Sequence, residues 1–268
     1  MLRLRVISGA AFIGVALTCL WLGGTAHTLM ITGFALLCVR ELCRLFVLKG
    51  YTPATLFITA SVLTLDLLGG FLGATYMAPL FTIGAIAILV WLLARPRPRA
   101  GIGDIATSWF ALIYIGFLPC HLILVRNLPE PYGFQFSVLL NTCIWATDIM
   151  AYFGGRWLGR TKLLEAVSPK KTLEGSLSGL VSAGLLGAAW GLVFEFPLGH
   201  GLALGLIVSL VAQIGDLTES LLKRDAGTKD SGSSIPGHGG MLDRLDSYLL
   251  TGAAVYYYLR WLYHPWLP

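Results

Sequence analysis

Charged side chains make up only 12% of this 268-residue chain, yet three short segments towards its C-terminal end gather them with a spacing that could do chemistry. In AQIGDLTESLLKR, which begins at Ala212, Asp216, Glu219 and Lys223 stand at i, i+3 and i+7 and share one face of a helix. A glycine-rich loop follows, and in MLDRLDS a second helix places Asp243 and Asp246 at i and i+3. Two helix ends would then bring carboxylates towards each other across a loop full of backbone N–H groups. That combination suits a hard divalent cation such as Mg²⁺, held by a few carboxylates together with phosphate oxygens. Gly237, Gly239 and Gly240 allow positive φ and close approach to a phosphate. His238, between them, reads either as a loop residue bonded to its neighbours or as a phosphate contact.

Two upstream segments extend the pattern. NTCIWATDIMAYFGGRWLGR, from Asn141, buries Asp148 in an apolar helix with Tyr152 one turn on and Arg156 two turns on. A carboxylate at that depth is costly and needs a partner or a cavity. SPKKTLEGSLSG, from Ser168, sets Lys170 and Lys171 before a glycine-spaced helix entry; Ser168 and Thr172 can cap it, and Glu174 lies near its start. The three segments together read as a site for a metal–polyphosphate at a membrane surface. The acids would bring the cation, while Lys170, Lys171, Lys223, Arg224 and Lys229 would neutralise the remaining phosphate charge. There is no GxxxxGK[ST] phosphate loop, which disfavours an ordinary nucleotide-driven pump.

The elements that must position these residues are apolar. Hydrophobic residues are 56% of the chain and the mean hydropathy is +0.75. Apolar runs of about 20 residues, each long enough for a bilayer core, recur from end to end. The expected fold is all-α, a polytopic membrane helical bundle of about nine spans near residues 6–24, 28–48, 54–73, 75–94, 105–125, 136–154, 176–196, 201–222 and 247–265. FLGATYMAP, between the third and fourth, carries no charge and reads as a tight hairpin or a kink. With the N-terminus cytoplasmic, every Lys and Arg of the 19 except Arg126 and Arg260 falls on one side, as cytoplasmic loops require. The site then faces the cytoplasm, in what reads as a bacterial plasma (inner) membrane.

The basic N-terminal run reads as the first span, and the ARPRPRA turn from Ala94 as a basic anchor against anionic head groups. The pI near 9.0 is therefore a topology signal, with no nucleic-acid partner implied. The five cysteines lie mostly in apolar runs without a CxxC pair and read as packing residues. Residues 1–135 read as scaffold spans and residues 136–268 as the spans that carry the motifs.

SLLKRDAGTKDSGSSIPGHGGMLDRLDS, Ser220 to Ser247, resembles the C-terminal signature of the phosphatidate cytidylyltransferases (CDP-diacylglycerol synthases). WATDIMAYFGGRWLGR and SPKKTLEG resemble that family's middle motifs, so the likeness covers roughly 141–247. The resemblance implies an integral membrane enzyme that turns CTP and phosphatidate into CDP-diacylglycerol and pyrophosphate, requires Mg²⁺ and allows for a homodimer. Carried onto this chain, it points to Asp216 and Asp243 as metal ligands, with Asp246 and Asp148 second. Lys223 and Arg224 join the catalytic set, and Lys170, Lys171, Lys229, His238, Gly239, Gly240 and Arg244 the substrate contacts. Two rivals stand beside this reading. One is a CTP-dependent lipid kinase, or a cytidylyltransferase acting on another lipid phosphate. The other is a transporter whose ion path uses Asp66, Asp148 and Asp216, although Asp66 reads more simply as a packing or interface hydrogen bond.

Overall fold

The computed structural model of the protein describes residues 2–96, 100–235, 237 and 239–264. Arg97, Arg99 and His238 lie outside the described residues, as do the side chains of Arg3 and Arg5. Helices dominate: α1 (Leu2–Leu22), α2 (Gly24–Leu48), α3 (Thr55–Leu72), α4 (Met77–Ala94), α5 (Ile102–Ala111), α6 (Cys120–Arg126), α7 (Tyr132–Trp157), α8 (Leu173–Val193), α9 (Leu198–Asp225) and α10 (Leu242–Trp261). A 3₁₀ turn, Ala74–Tyr76, leads into α4, so FLGATYMAP is a tight hairpin, and Gly73 makes it possible with φ of 89°. A π-helical stretch, Leu112–Phe117, links α5 to α6.

Each of the nine expected runs is helical, but six helices among the described residues are long and apolar enough to cross a membrane: Thr55–Leu72, Ala74–Ala94, Ile102–Arg126, Tyr132–Trp157, Leu173–Val193 and Leu198–Asp225. The apolar part of α1, Ser8–Leu22, is shorter. Polar residues interrupt the other two, with Arg40, Glu41 and Arg44 in α2 and Asp243, Arg244, Asp246 and Arg260 in α10. The all-α expectation also needs one amendment. β1 (Lys162–Leu164) and β2 (Ser168–Thr172) pair antiparallel, with Lys162 opposite Thr172 and Leu164 opposite Ser168. Ser168 therefore begins a strand and does not cap α8.

The chain forms two compact units, one of Met1–Asn127 with Leu222–Leu245, the other of Leu128–Leu221 with Asp246–Pro268. In the first, α3 packs against α2, α4 and the π-helical stretch. Leu42, Ile58, Val62, Leu65, Ile88, Leu112 and Ile115 are fully buried there. Arg126, one of the two cations that the sequence sets apart from the expected basic side, is buried too. Its Nε donates to the carbonyl of Leu20 at 2.7 Å and its Nη2 to that of Trp21 at 3.2 Å, which satisfies the open end of α1. This structural task explains its exception to the charge pattern. Cys38, Cys43 and Cys120 are buried here and Cys143 in the second unit, as packing residues should be.

In the second unit α7 and α8 lie against each other along much of their length. Gly175 and Gly179 permit this approach: a Cβ on them would stand 2.6 Å from the Ala151 carbonyl oxygen and 2.9 Å from that of Thr147. Small residues at such crossings let helix backbones pack closely where lipid supplies no hydrophobic drive.

Candidate active site

A cavity of about 580 Å³ opens in the second unit. From α7 it takes Asp148, Tyr152 and Arg156, spaced four residues apart and so on one face of the helix, and from β2 it takes Lys170 and Lys171. Asp216 of α9 completes the charged lining. Lys171 Nζ forms an ion pair with Asp216 Oδ2, both side chains about one-third exposed to the cavity mouth. Asp148 and Asp246 lie within the electrostatic reach of Asp216 and Lys171. Three carboxylates thus lie within electrostatic reach of one ion-paired ammonium, an excess of negative charge on this side of the cavity. Among the described residues no three acids, histidines or cysteines stand close enough together to hold a metal ion by themselves, while Lys170 and Arg156 on the same wall fit phosphate oxygens.

The local structure that holds these groups is legible residue by residue. Thr172 is the N-cap of α8, its Oγ1 accepting from the Gly175 N–H at 3.2 Å. The Glu174 carboxylate turns back to accept from Arg160 N at 3.0 Å and Thr161 N at 3.1 Å, tying the end of the α7 connection to the start of α8. The hairpin that carries Lys170 and Lys171 is fastened at both ends. Beside Asp216, Gly215 brings α9 against α10: a Cβ there would collide with the backbone carbonyl of Asp246. Replacement Gly215→Ala should therefore lower stability by about 1–3 kcal/mol through overpacking, read as a drop in melting temperature in detergent. An unchanged melting temperature would show that α10 is free to shift.

The first unit holds the glycine-rich loop. Lys223 Nζ lies 2.7 Å from Asp243 Oδ1, with the two side chains only 13% and 11% exposed. Asp243 Oδ2 also accepts from Gly240 N at 2.9 Å and from Ser231 N at 3.1 Å. Gly237 and Gly239 adopt φ of 80° and 85° as expected. Gly240 has no positive φ and serves close approach instead, because a Cβ on it would strike Ser231 Oγ and the Glu41 carboxylate. Arg224, Lys229 and Arg244 are exposed.

The structure accordingly brings Asp148, Asp216, Asp246, Lys170 and Lys171 together in one unit, and Lys223, Asp243, Gly239 and Gly240 together in the other. Asp66 is fully buried, and neither carboxyl oxygen meets a hydrogen-bond partner among the described residues, so the bond expected of it is not found. Two features escaped the sequence reading. Gln213 and Ser176 line the cavity and hydrogen-bond each other; Gln213, three residues before Asp216, stands on the same helix face, which was the available signal. Glu41 is the second. It is buried at 4% exposure, and an acid within the apolar run of α2 was itself the warning.

Residues 3–262 match the cytidylyltransferase family, and the chain belongs to it. Among its relatives, a phosphatidate cytidylyltransferase of Synechocystis sp. (strain ATCC 27184 / PCC 6803 / Kazusa) is 40% identical, over 95% of this chain and 95% of that protein. The phosphatidate cytidylyltransferase of Brucella abortus biovar 1 (strain 9-941) is 36% identical over 95% of this chain and 92% of its own length. The chloroplastic phosphatidate cytidylyltransferase 5 of Arabidopsis thaliana is 34% identical, over 89% of this chain and 67% of that protein.

Proposed function

We propose that this chain transfers CMP from CTP to phosphatidate, giving CDP-diacylglycerol and pyrophosphate. The observation that carries the reading is end-to-end similarity to proteins named for this activity, in a chain whose second unit sets carboxylates and lysines around one cavity. A phosphatidate oxygen attacks the α-phosphorus of CTP, the new P–O bond forms, and the bond from the α-phosphorus to the bridging oxygen of pyrophosphate breaks. A phosphate monoester with its second pKa near 6 is already largely dianionic at neutral pH, so no strong general base is needed. The obstacle is the approach of two anions, and alignment with charge neutralisation removes it.

Lys170, Lys171 and Arg156 bind and orient phosphate oxygens, and Lys223, Arg224, Lys229 and Arg244 balance the charge that develops on pyrophosphate. Asp216 and Asp243 would hold Mg²⁺, with Asp246 and Asp148 as further oxygen donors. The ion would supply charge neutralisation on the phosphates. We extend the six apolar helices to nine spans with a cytoplasmic N-terminus and a site on the cytoplasmic face of a bacterial plasma membrane, reached by phosphatidate from the inner leaflet. A homodimer completes the proposed assembly.

Purified protein with labelled CTP, phosphatidate and Mg²⁺ should form a nucleotide-lipid and release pyrophosphate in equal amount, with no product when any component is omitted. Release of CDP with a phosphorylated lipid would indicate a kinase instead.

A further inference from the structure

We infer that Glu41, in the N-terminal part of the chain, is a positioning residue for the reaction: its buried carboxylate folds the glycine-rich loop and caps α10, and so presents Asp243. A carboxylate is costly to bury unless donors surround it, and here the described donors come from a segment about two hundred residues away. Glu41 Oε1 accepts from the Ser234 hydroxyl and from Met241 N at 3.0 Å. Oε2 accepts from Ser231 Oγ at 2.9 Å and from Leu242 N at 2.8 Å. Each oxygen therefore takes one hydroxyl and one backbone N–H.

Those backbone groups belong to the start of α10, where N–H groups have no partner inside the helix and a negative charge is favoured. An acid of α2 thus accepts from two N–H groups at the start of α10. The same serine ties this carboxylate to Asp243, since Ser231 Oγ is also 3.0 Å from Asp243 Oδ2. The loop leaves room for the arrangement, because a Cβ on Gly232 would stand 2.6 Å from Glu41 Oε1. Lys223 balances Asp243, whereas Glu41 is balanced by neutral donors, which marks it as a fastening for the loop and not as a phosphate or metal contact.

The donor arithmetic makes Glu41→Gln informative. A glutamine replaces one acceptor oxygen by an NH₂ group. A serine hydroxyl can turn to accept from it, but a backbone N–H cannot. Whichever way the amide faces, Met241 N or Leu242 N loses its acceptor. The activity arm of the test rests on the CMP-transfer reading; the hydrogen-exchange arm does not.

Wild type, Glu41→Gln and Ser234→Ala are compared in detergent for steady-state CDP-diacylglycerol formation, thermal melting and backbone hydrogen exchange. Glu41→Gln is expected to lower kcat about 10²-fold, the cost of a misplacement near 1 Å, with KM for CTP little changed and with faster exchange confined to 231–242. Ser234→Ala keeps both backbone bonds and should lower kcat about 5-fold, the equivalent of one hydrogen bond. Wild-type kcat in folded Glu41→Gln overturns the inference, as does a loss that merely follows the fraction of protein unfolded. Should Glu41→Gln fail to fold, Ser234→Ala decides: wild-type rate and exchange overturn the inference, and a local exchange increase with reduced kcat supports it. If wild type itself makes no nucleotide-lipid, the functional reading fails instead, and exchange at 231–242 still tests the hold of Glu41 on α10.

Discussion

Asp216→Asn is expected to reduce CDP-diacylglycerol formation by about 10³-fold or more, the upper range for removing one preorganised electrostatic contact, while leaving the melting temperature in detergent at or above that of wild type. The activity loss follows from its position on the cavity wall in an ion pair with Lys171. Unchanged stability follows from its neighbours. Removing one partner of an ion pair usually strands the other, but Lys171 also lies in the field of Asp148 and Asp246. The variant removes repulsion among three carboxylates and leaves the ammonium in company. Rate measurements at saturating CTP and phosphatidate, with a melting curve on the same preparation, check both halves. Retained Mg²⁺-dependent activity would remove Asp216 from the proposed metal ligands.

Asp243→Asn should abolish activity to a similar degree but with the opposite effect on stability, a loss of roughly 3 kcal/mol. Its carboxylate sits in a nearly closed environment with Lys223 at 2.7 Å. Gly240 N and Ser231 N both donate to Oδ2. An amide nitrogen at that oxygen would face two N–H donors, and at the other it would face an ammonium. The two aspartates proposed for one role therefore separate in a melting experiment. Equal melting temperatures for Asp216→Asn and Asp243→Asn would show that the loop is not held together through Asp243.

Much of the fold was legible in the sequence. Apolar runs of about 20 residues specify helices because a backbone in hydrocarbon must satisfy its own polar groups, and all nine expected runs are helical. The hairpin at Gly73 was visible as an uncharged break. The helical spacing that sets Asp216 on one face of its helix was legible, and Thr172 was recognisable as a cap. All of these are local: they depend on residues a few positions apart and on the period of the helix.

What the tertiary structure decided lies at long separation. SPKKT carries no alternation that would mark a strand, and it becomes β2 because Lys162–Leu164 folds back onto it and the Glu174 carboxylate secures the turn. Lys170 and Lys171, adjacent in sequence, differ because only Lys171 has an ion pair with Asp216 described. Glu41 lies among arginines in α2 and looks like one more charge at a helix end, yet its donors come from Ser231 to Leu242. Side-chain type and helical period are properties of neighbours along the chain, whereas a buried carboxylate takes its partner from whatever the fold packs against it.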